Sequence, residues 1–134
     1  MVQSMAEMIF PIGSLPDVVK ARRRVLEIAL EMGFAHAEAT KVAVVVSELG
    51  RNIERYAGSG SITVITDTDQ CFIQIVAQDE GPGIPDVERV LAGGYSTSKG
   101  LGLGISGSRR LVDEFDVQSE VGVGTTIKAL KYLH

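Results

Sequence analysis

Two hairpin signals, one mid-chain and one near the end, constrain the fold more than any other feature. Ile62-Thr63-Val64-Ile65-Thr66 and Cys71-Phe72-Ile73-Gln74-Ile75-Val76-Ala77 are rich in β-branched and apolar residues, and Asp67-Thr68-Asp69-Gln70 between them are turn formers. Asp116–Glu120 and Thr125–Leu130 repeat the pattern around Val121-Gly122-Val123-Gly124. Strands joined this closely are antiparallel neighbours, because a parallel pair needs a crossover of about a dozen residues or more. The chain is therefore not a series of βαβ units.

The remaining elements are helical, apart from a short edge strand at Met8-Ile9-Phe10. Ser14-Leu15-Pro16-Asp17 reads as a helix start, with Pro16 suited to the first turn and Asp17 to the positive end of the dipole. That helix runs to about Met32, where Gly33 stops it, with Val18, Val19, Ala21, Val25, Ile28 and Ala29 as its apolar face. A second helix, from about Ala37 to Tyr56, carries its stripe at Val42, Val45/Val46, Leu49 and Ile53 and stops at Gly58. A short helix is expected over Asp86–Leu91, and another over about Ile105–Phe115 with Leu111 and Val112 inward. The order β-α-α-β-β-α-α-β-β predicts an α+β fold: a two-layer sandwich with helices on one face of a mixed, mostly antiparallel sheet.

A chain of 134 residues fits one domain over 1–134. With aromatics at 5%, the core must come from Val, Ile, Leu and Ala. Cys71 is the single cysteine, so no internal disulfide forms, and its apolar neighbours suggest a core position. The N-terminus MVQSMAEMIF has no basic signal-peptide region, and no apolar run approaches the ~18 residues of a membrane span. The expectation is a soluble cytoplasmic protein with no membrane partner. A net charge of −4 disfavours nucleic acid as a partner. The one basic run, Arg22-Arg23-Arg24, reads as a solvated helix face, with a partner-binding face as the alternative.

Chemistry concentrates in three segments. In the stretch STSKGLGLGISG, Gly102, Gly104 and Gly107 match G-x-G-x-x-G, but the dinucleotide turn requires a buried strand directly before it. Gly93 to Lys99 is loop chemistry instead. A glycine run entering a helix can still make an anion site, since backbone N–H groups approach phosphate closely there and the helix start adds positive potential. Ser96, Thr97 and Ser98 would add hydroxyls and Lys99 a cation; a flexible linker is the alternative. On the second helix, Glu48, Asn52 and Tyr56 fall at i, i+4 and i+8, each of the first two one residue before a core position. A carboxylate and an amide one turn apart at a core margin can hold a divalent cation and accept a proton, or form a plain polar pair. Finally, Asp79-Glu80-Gly81-Pro82-Gly83 ends an apolar strand. Such an aspartate can accept from the exocyclic amine of a flat ring, or merely shape a turn.

Together and in this order, the segments resemble the GHKL ATPase and kinase superfamily of gyrase, Hsp90, histidine kinases and MutL. Glu48-Leu49-x-x-Asn52-x-x-x-Tyr56 resembles its N box, Asp79-x-Gly81-x-Gly83 its first glycine box, Gly100-Leu101-Gly102-Leu103-Gly104 its second, and Gly124-Thr125 its last. The stretches SELGRNIERYAGSG, DEGPGIPD, GYSTSKGLGLG and RRLVDEFDVQS, with the end GTTIKALKYL, are similar to the switch serine/threonine kinases of bacterial stressosomes (RsbT type) across essentially the whole chain.

The resemblance implies the Bergerat-type sandwich, with ATP and Mg²⁺ as cofactors. By it, Asp79 binds the adenine amine, supported by Thr125 through water; Asn52 ligates Mg²⁺; Gly100, Gly102 and Gly104 cradle the phosphates; and Glu48 is the base that aligns the substrate hydroxyl. Gly81, Gly83, Ser96, Thr97, Lys99, Leu101 and Leu103 complete the implied ATP site. Implied partners are STAS-domain scaffold and antagonist proteins and, on release from the scaffold, a protein phosphatase. Three rivals share the nucleotide site: an anti-sigma kinase that sequesters a sigma factor, a nucleotide-gated binding module without catalysis, and a sensor histidine kinase. The last needs a phospho-accepting histidine, and neither His36 nor His134 has the neighbours for it.

Overall fold

A computed structural model of the chain describes residues 5–92 and 101–133, with backbone alone at 101–103. The elements follow the expected order: β1 (Met5–Ile12), α1 (Leu15–Met32), α2 (His36–Asn52), β2 (Gly60–Asp67), β3 (Phe72–Asp79), α3 (Val87–Ala92), α4 (Leu101–Arg109), β4 (Glu114–Glu120) and β5 (Gly124–Tyr132). The strands form one sheet in the order β1-β2-β3-β5-β4, with β1 at an edge. All four pairings are antiparallel, so the mixed character expected of the sheet is absent among the described residues. Each neighbouring pair except β3–β5 is consecutive in the chain or, for β1 and β2, separated only by the two helices, and none needs a parallel crossover.

The register fixes what meets at each end of the sheet. Asp79, the last residue of β3, lies opposite Gly60 on one side and Thr125 on the other. Thr125 in turn lies opposite Ser119 of β4. Alternation then sends Ile62 and Val64, Ile73, Ile75 and Ala77, and Ile127 and Ala129 to the helix-facing side, where all are buried. They pack in one cluster with Val18, Ala21, Val25 and Ala29 of α1 and Val42, Val45, Val46 and Leu49 of α2. Val19 is a correction: it is 47% exposed, one residue out of the i, i+3, i+7, i+11 stripe that Val18 begins.

α1 starts as expected. Asp17 N–H donates to Ser14 Oγ at 3.4 Å, and Gly13 N–H donates to the Asp17 carboxylate at 2.9 Å, a reciprocal cap. It ends at Gly33, whose φ of 103° lets Phe34 N–H reach back to Ala29 O at 3.1 Å. Arg22 and Arg23 are exposed and Arg24 pairs with Glu27 and Glu31, which is the solvated helix face. Lys131 is a buried cation on the helix side of β5; its Nζ lies 2.9 Å from Glu38 on α2. That ammonium first, and Lys41 second, hold the Glu38 carboxyl below its ordinary value.

Two further expectations fail. Cys71 is half-exposed in the β2–β3 turn at φ 57°, because β3 begins only at Phe72 and the core-facing alternation starts at Ile73. The fourth helix occupies Leu101–Arg109 rather than Ile105–Phe115. It tightens and stops where Arg110 N–H and Leu111 N–H bond three residues back, to Gly107 O and Ser108 O. Asp113 then ties the chain to β5, its N–H donating to Leu130 O (3.0 Å) and its carboxylate accepting Tyr132 N–H (2.7 Å), so Glu114 and Phe115 are strand.

Candidate functional site

α2 places Glu48 and Asn52 one turn apart beside its buried stripe, and both are half-buried. At Asn52 the backbone changes pitch. Gly58 N–H donates to Ile53 O at 2.9 Å, five residues back, so Ile53–Ala57 form a π-helical turn. This wide turn keeps Tyr56 on the same side as Asn52, and the Arg55 guanidinium lies 5.9 Å from its ring.

Across from α2, the Asp79 carboxylate accepts the N–H of Gly81 at 2.9 Å, which turns the chain sharply off the sheet. The loop passes close to the π turn: a Cβ on Gly81 would lie 2.7 Å from that of Ala57. Gly83 has φ 80°, and a Cβ there would run into the Glu120 carbonyl. Gly122 N–H donates to Pro82 O at 2.9 Å, fastening the loop to the β4–β5 turn. The third wall is α4. A Cβ on Gly104 would sit 3.0 Å from Glu48 Oε2 and within 3.8 Å of both amide atoms of Asn52, so the glycine lets α4 lie directly against these two side chains.

These elements surround one partly open cavity of about 40 Å³, room for a few water molecules. Asn52, Tyr56, Asp79, Gly83 and Thr125 line it. Its apolar walls are Ala57, Pro82, Ile84, Ile105 and Ile127. Those residues went unnoticed in the sequence, although Ile127 sits two positions from Thr125 on the same strand face and Ile105 directly follows Gly104. Glu48 does not line the cavity; it stands one helical turn beyond Asn52, 3.7 Å from Arg51 and beside Gly104. Ser96, Thr97, Lys99 and Gly100 lie outside the described residues, as do the side chains of Leu101 and Leu103. Gly102 falls within α4, as does Gly104, so these two glycines belong to a helix and not to the expected loop.

The donor set suits a flat, polar-edged ligand carrying its own cation ligands. Asn52 Nδ2 is buried and makes no hydrogen bond among the described residues, a costly state that a ligand atom would relieve. Because amide O and N are assigned from the hydrogen-bond network, the orphaned end can equally serve as a carbonyl oxygen. No group of three or more metal-ligating side chains occurs among the described residues. A hard cation bound through Asn52 would therefore draw its other oxygens from phosphate and water.

An antiparallel sheet covered on one face by helices, with a cavity between an asparagine-bearing helix and a strand-end aspartate, defines an ATPase-type nucleotide domain. The chain belongs to the histidine kinase-, DNA gyrase B- and HSP90-like ATPase family, whose model matches residues 37–133. It is 44% identical over 119 residues to the serine/threonine-protein kinase RsbT of Bacillus subtilis (strain 168), covering 87% of this chain and 90% of that one. It is 35% identical over 103 residues to the anti-sigma F factor of Halalkalibacterium halodurans, covering 72% of this chain and 70% of the relative. A crystal structure of the RsbU and RsbW domains of a Mycobacterium tuberculosis protein matches with TM-score 0.68 over 96% of this chain and 32% of that one; at 14% identity it speaks for the fold alone. No helix among the described residues is long and apolar enough to cross a membrane.

Proposed function

We propose that this chain is an ATP-dependent serine/threonine-protein kinase of a bacterial partner-switching stress pathway. It phosphorylates STAS-domain scaffold and antagonist proteins in the cytoplasm and, once released from them, activates a protein phosphatase. The observation that carries the reading is the single cavity joining Asn52, Asp79 and Thr125, with Gly104 close against both Asn52 and Glu48. The 44% identity to RsbT over most of both chains supports the kinase reading.

In this reading Asp79 accepts a hydrogen bond from the exocyclic amine of the base, and Thr125 supports it from the facing strand. Tyr56, Ile84, Ile105 and Ile127 exclude water from the ring. Asn52 would hold Mg²⁺, and the glycines that open α4 would serve the phosphates; Lys99 is the cation this reading assigns to neutralise charge on the transferred group. Bound Mg·ATP supplies the phosphoryl group, and phosphoryl transfer asks of the protein mainly positioning and charge neutralisation. Glu48 would orient the incoming hydroxyl and take its proton as the hydroxyl oxygen bonds to the γ-phosphorus and the bond from that phosphorus to the ADP oxygen breaks, with ADP as the leaving group. Arg51, 3.7 Å away, keeps that carboxylate near its own helix.

The test is labelled Mg·ATP incubated with this protein and candidate STAS-domain proteins, with mapping of the modified residue. Label on a serine or threonine of the STAS protein is the expected result; label on His36 would overturn it. The identity to anti-sigma F factors gives a second reading, an anti-sigma kinase. Copurification of a sigma factor, without any STAS-domain assembly, would favour that one.

A further inference from the structure

Two cations on the first helix are not used by the fold. Arg24 pairs with Glu27 and Glu31, and Lys41 with Glu38, whereas Arg22 and Arg23 make no ion pair among the described residues. In a chain with 17 acidic residues and a net charge of −4, two exposed arginines side by side without a counter-charge stand out.

The apolar residues around them are aligned. Leu15, Val19, Leu26 and Leu30 step along α1 by four, seven and four residues, so they share one face. That face lies one residue round from the buried stripe of Val18, Ala21, Val25 and Ala29; Leu15, Val19 and Leu30 are exposed on it and Leu26 is half-buried. Arg22 and Arg23 stand where the seven-residue step leaves a gap. On α2, Val44 is 37% exposed beside the buried Ala43. The two helices leave an open groove of about 340 Å³ between Val19 and Leu26 on one side and Ala43 and Val44 on the other, with Arg22 and Arg23 in its lining. None of these residues lines the cavity at Asp79. Apolar surface residues scattered singly need no explanation, but a row of them along a groove does.

Steps of four and seven are those of a heptad seam, here with its central position given to arginine. Such a seam accepts the apolar anchors of a helix laid in the groove. Acidic residues flanking those anchors would meet Arg22 and Arg23 in charge-assisted hydrogen bonds. A second copy of this chain fits poorly, because the stripe is centred on Arg22 and Arg23. Packing α1 against α1 about a two-fold axis would set four arginines together. A membrane fits poorly too, since Ala43 lies at the bottom of a concave groove and a flat lipid interface takes up a convex helix face.

We propose that the α1–α2 groove docks an amphipathic helix of a partner protein, with apolar side chains at heptad spacing and acidic residues beside them. This names where a protein partner of the kinase binds, and it rests on the reading above only for the existence of such partners.

The test uses the full chain and two synthetic helical peptides with leucines at i, i+4, i+7 and i+11, one carrying glutamates beside them and the other lysines. Fluorescence anisotropy follows their binding. The wild type is expected to hold the glutamate peptide at least about 10-fold more tightly than the lysine peptide, a preference that added salt weakens. Val44→Asp should weaken the glutamate peptide by about 10-fold or more, the scale of one buried apolar side chain. Arg22→Glu combined with Arg23→Glu should invert the preference, which a merely sticky apolar surface would not do. Both variants should bind ADP as the wild type does. Equal affinity for the two peptides, or a preference that survives the double charge reversal, overturns the proposal. So does binding to phosphatidylserine vesicles, or self-association in sedimentation, that Val44→Asp abolishes, because the groove's occupant is then a membrane or a second copy. Failure of the wild type to bind ADP overturns the proposed function and leaves the groove standing.

Discussion

Two aspartates end adjacent strands at opposite ends of the sheet, and they behave differently. Asp67, at the end of β2, is buried, and its Oδ1 accepts two backbone N–H groups, from Asp69 at 2.9 Å and Gln70 at 3.0 Å. Asp79, at the end of β3, is half-exposed and accepts one, from Gly81, while it lines a cavity. Around Asp67 the polar groups close on one another in a short turn. Around Asp79 the chain places a π turn, two glycines, an orphaned Asn52 amide and the hydrogen-bonded hydroxyls of Ser119 and Thr125. One end is closed by its own turn; the other stays open around a cavity with an unsatisfied amide.

The sharpest way to break this contrast is to alter the open end without touching its shape. Glu48→Gln should lower phosphoryl transfer about 10²-fold or more while ADP binding persists, as steady-state kinetics and calorimetry would reveal. Transfer at the wild-type rate would remove Glu48 from its role. Next, Asp79→Asn should weaken ADP binding about 10- to 100-fold, the worth of a hydrogen bond to a charged acceptor, with little change in Tm. Asp67→Asn should do the reverse, leaving ADP affinity alone while costing about 1–3 kcal/mol of stability in denaturant melts. If the two variants exchanged effects, the distinction between the ends would be wrong.

Gly104→Ala probes the wall between them. Its methyl would press on the Glu48 carboxylate at 3.0 Å, yet alanine is the better helix former by about 1 kcal/mol. Transfer should fall by about 10-fold, the scale of a misplaced reacting group, while Tm holds or rises. A smaller effect concerns the closed interior. Because Lys131 and Lys41 lower the Glu38 carboxyl below its unfolded value, its contribution to stability is complete above that value. It is lost as pH falls through the folded one. Lys131→Met should therefore flatten the acid arm of Tm against pH, and an unaltered slope would deny the pair that role.

The same contrast explains what could be read from the sequence. The stripes Val42 to Ile53 and Ile73 to Ala77 were legible because period 3.6 and period 2 report burial directly. Asn52 and Asp79 were legible because they stand where those stripes stop. The start of α4 was not: Gly102 and Gly104 have poor helix propensity, and only packing of Ile105 and of Gly104 against Glu48 and Asn52 decides for helix. Nor was the π turn, which depends on a bond from Gly58 to Ile53 that α-helical spacing does not contain.

The central claim is that α2, the Asp79 loop, β5 and α4 close on a single nucleotide. Titrating ADP and Mg²⁺ into isotopically labelled protein, and following the Asn52 side-chain amide together with the backbone amides of Gly81, Gly83, Gly104 and Thr125, tests it most directly. All five should shift along one binding curve with a common Kd. Separate curves, or a silent Asn52 and Gly81 while α4 responds, would contradict it.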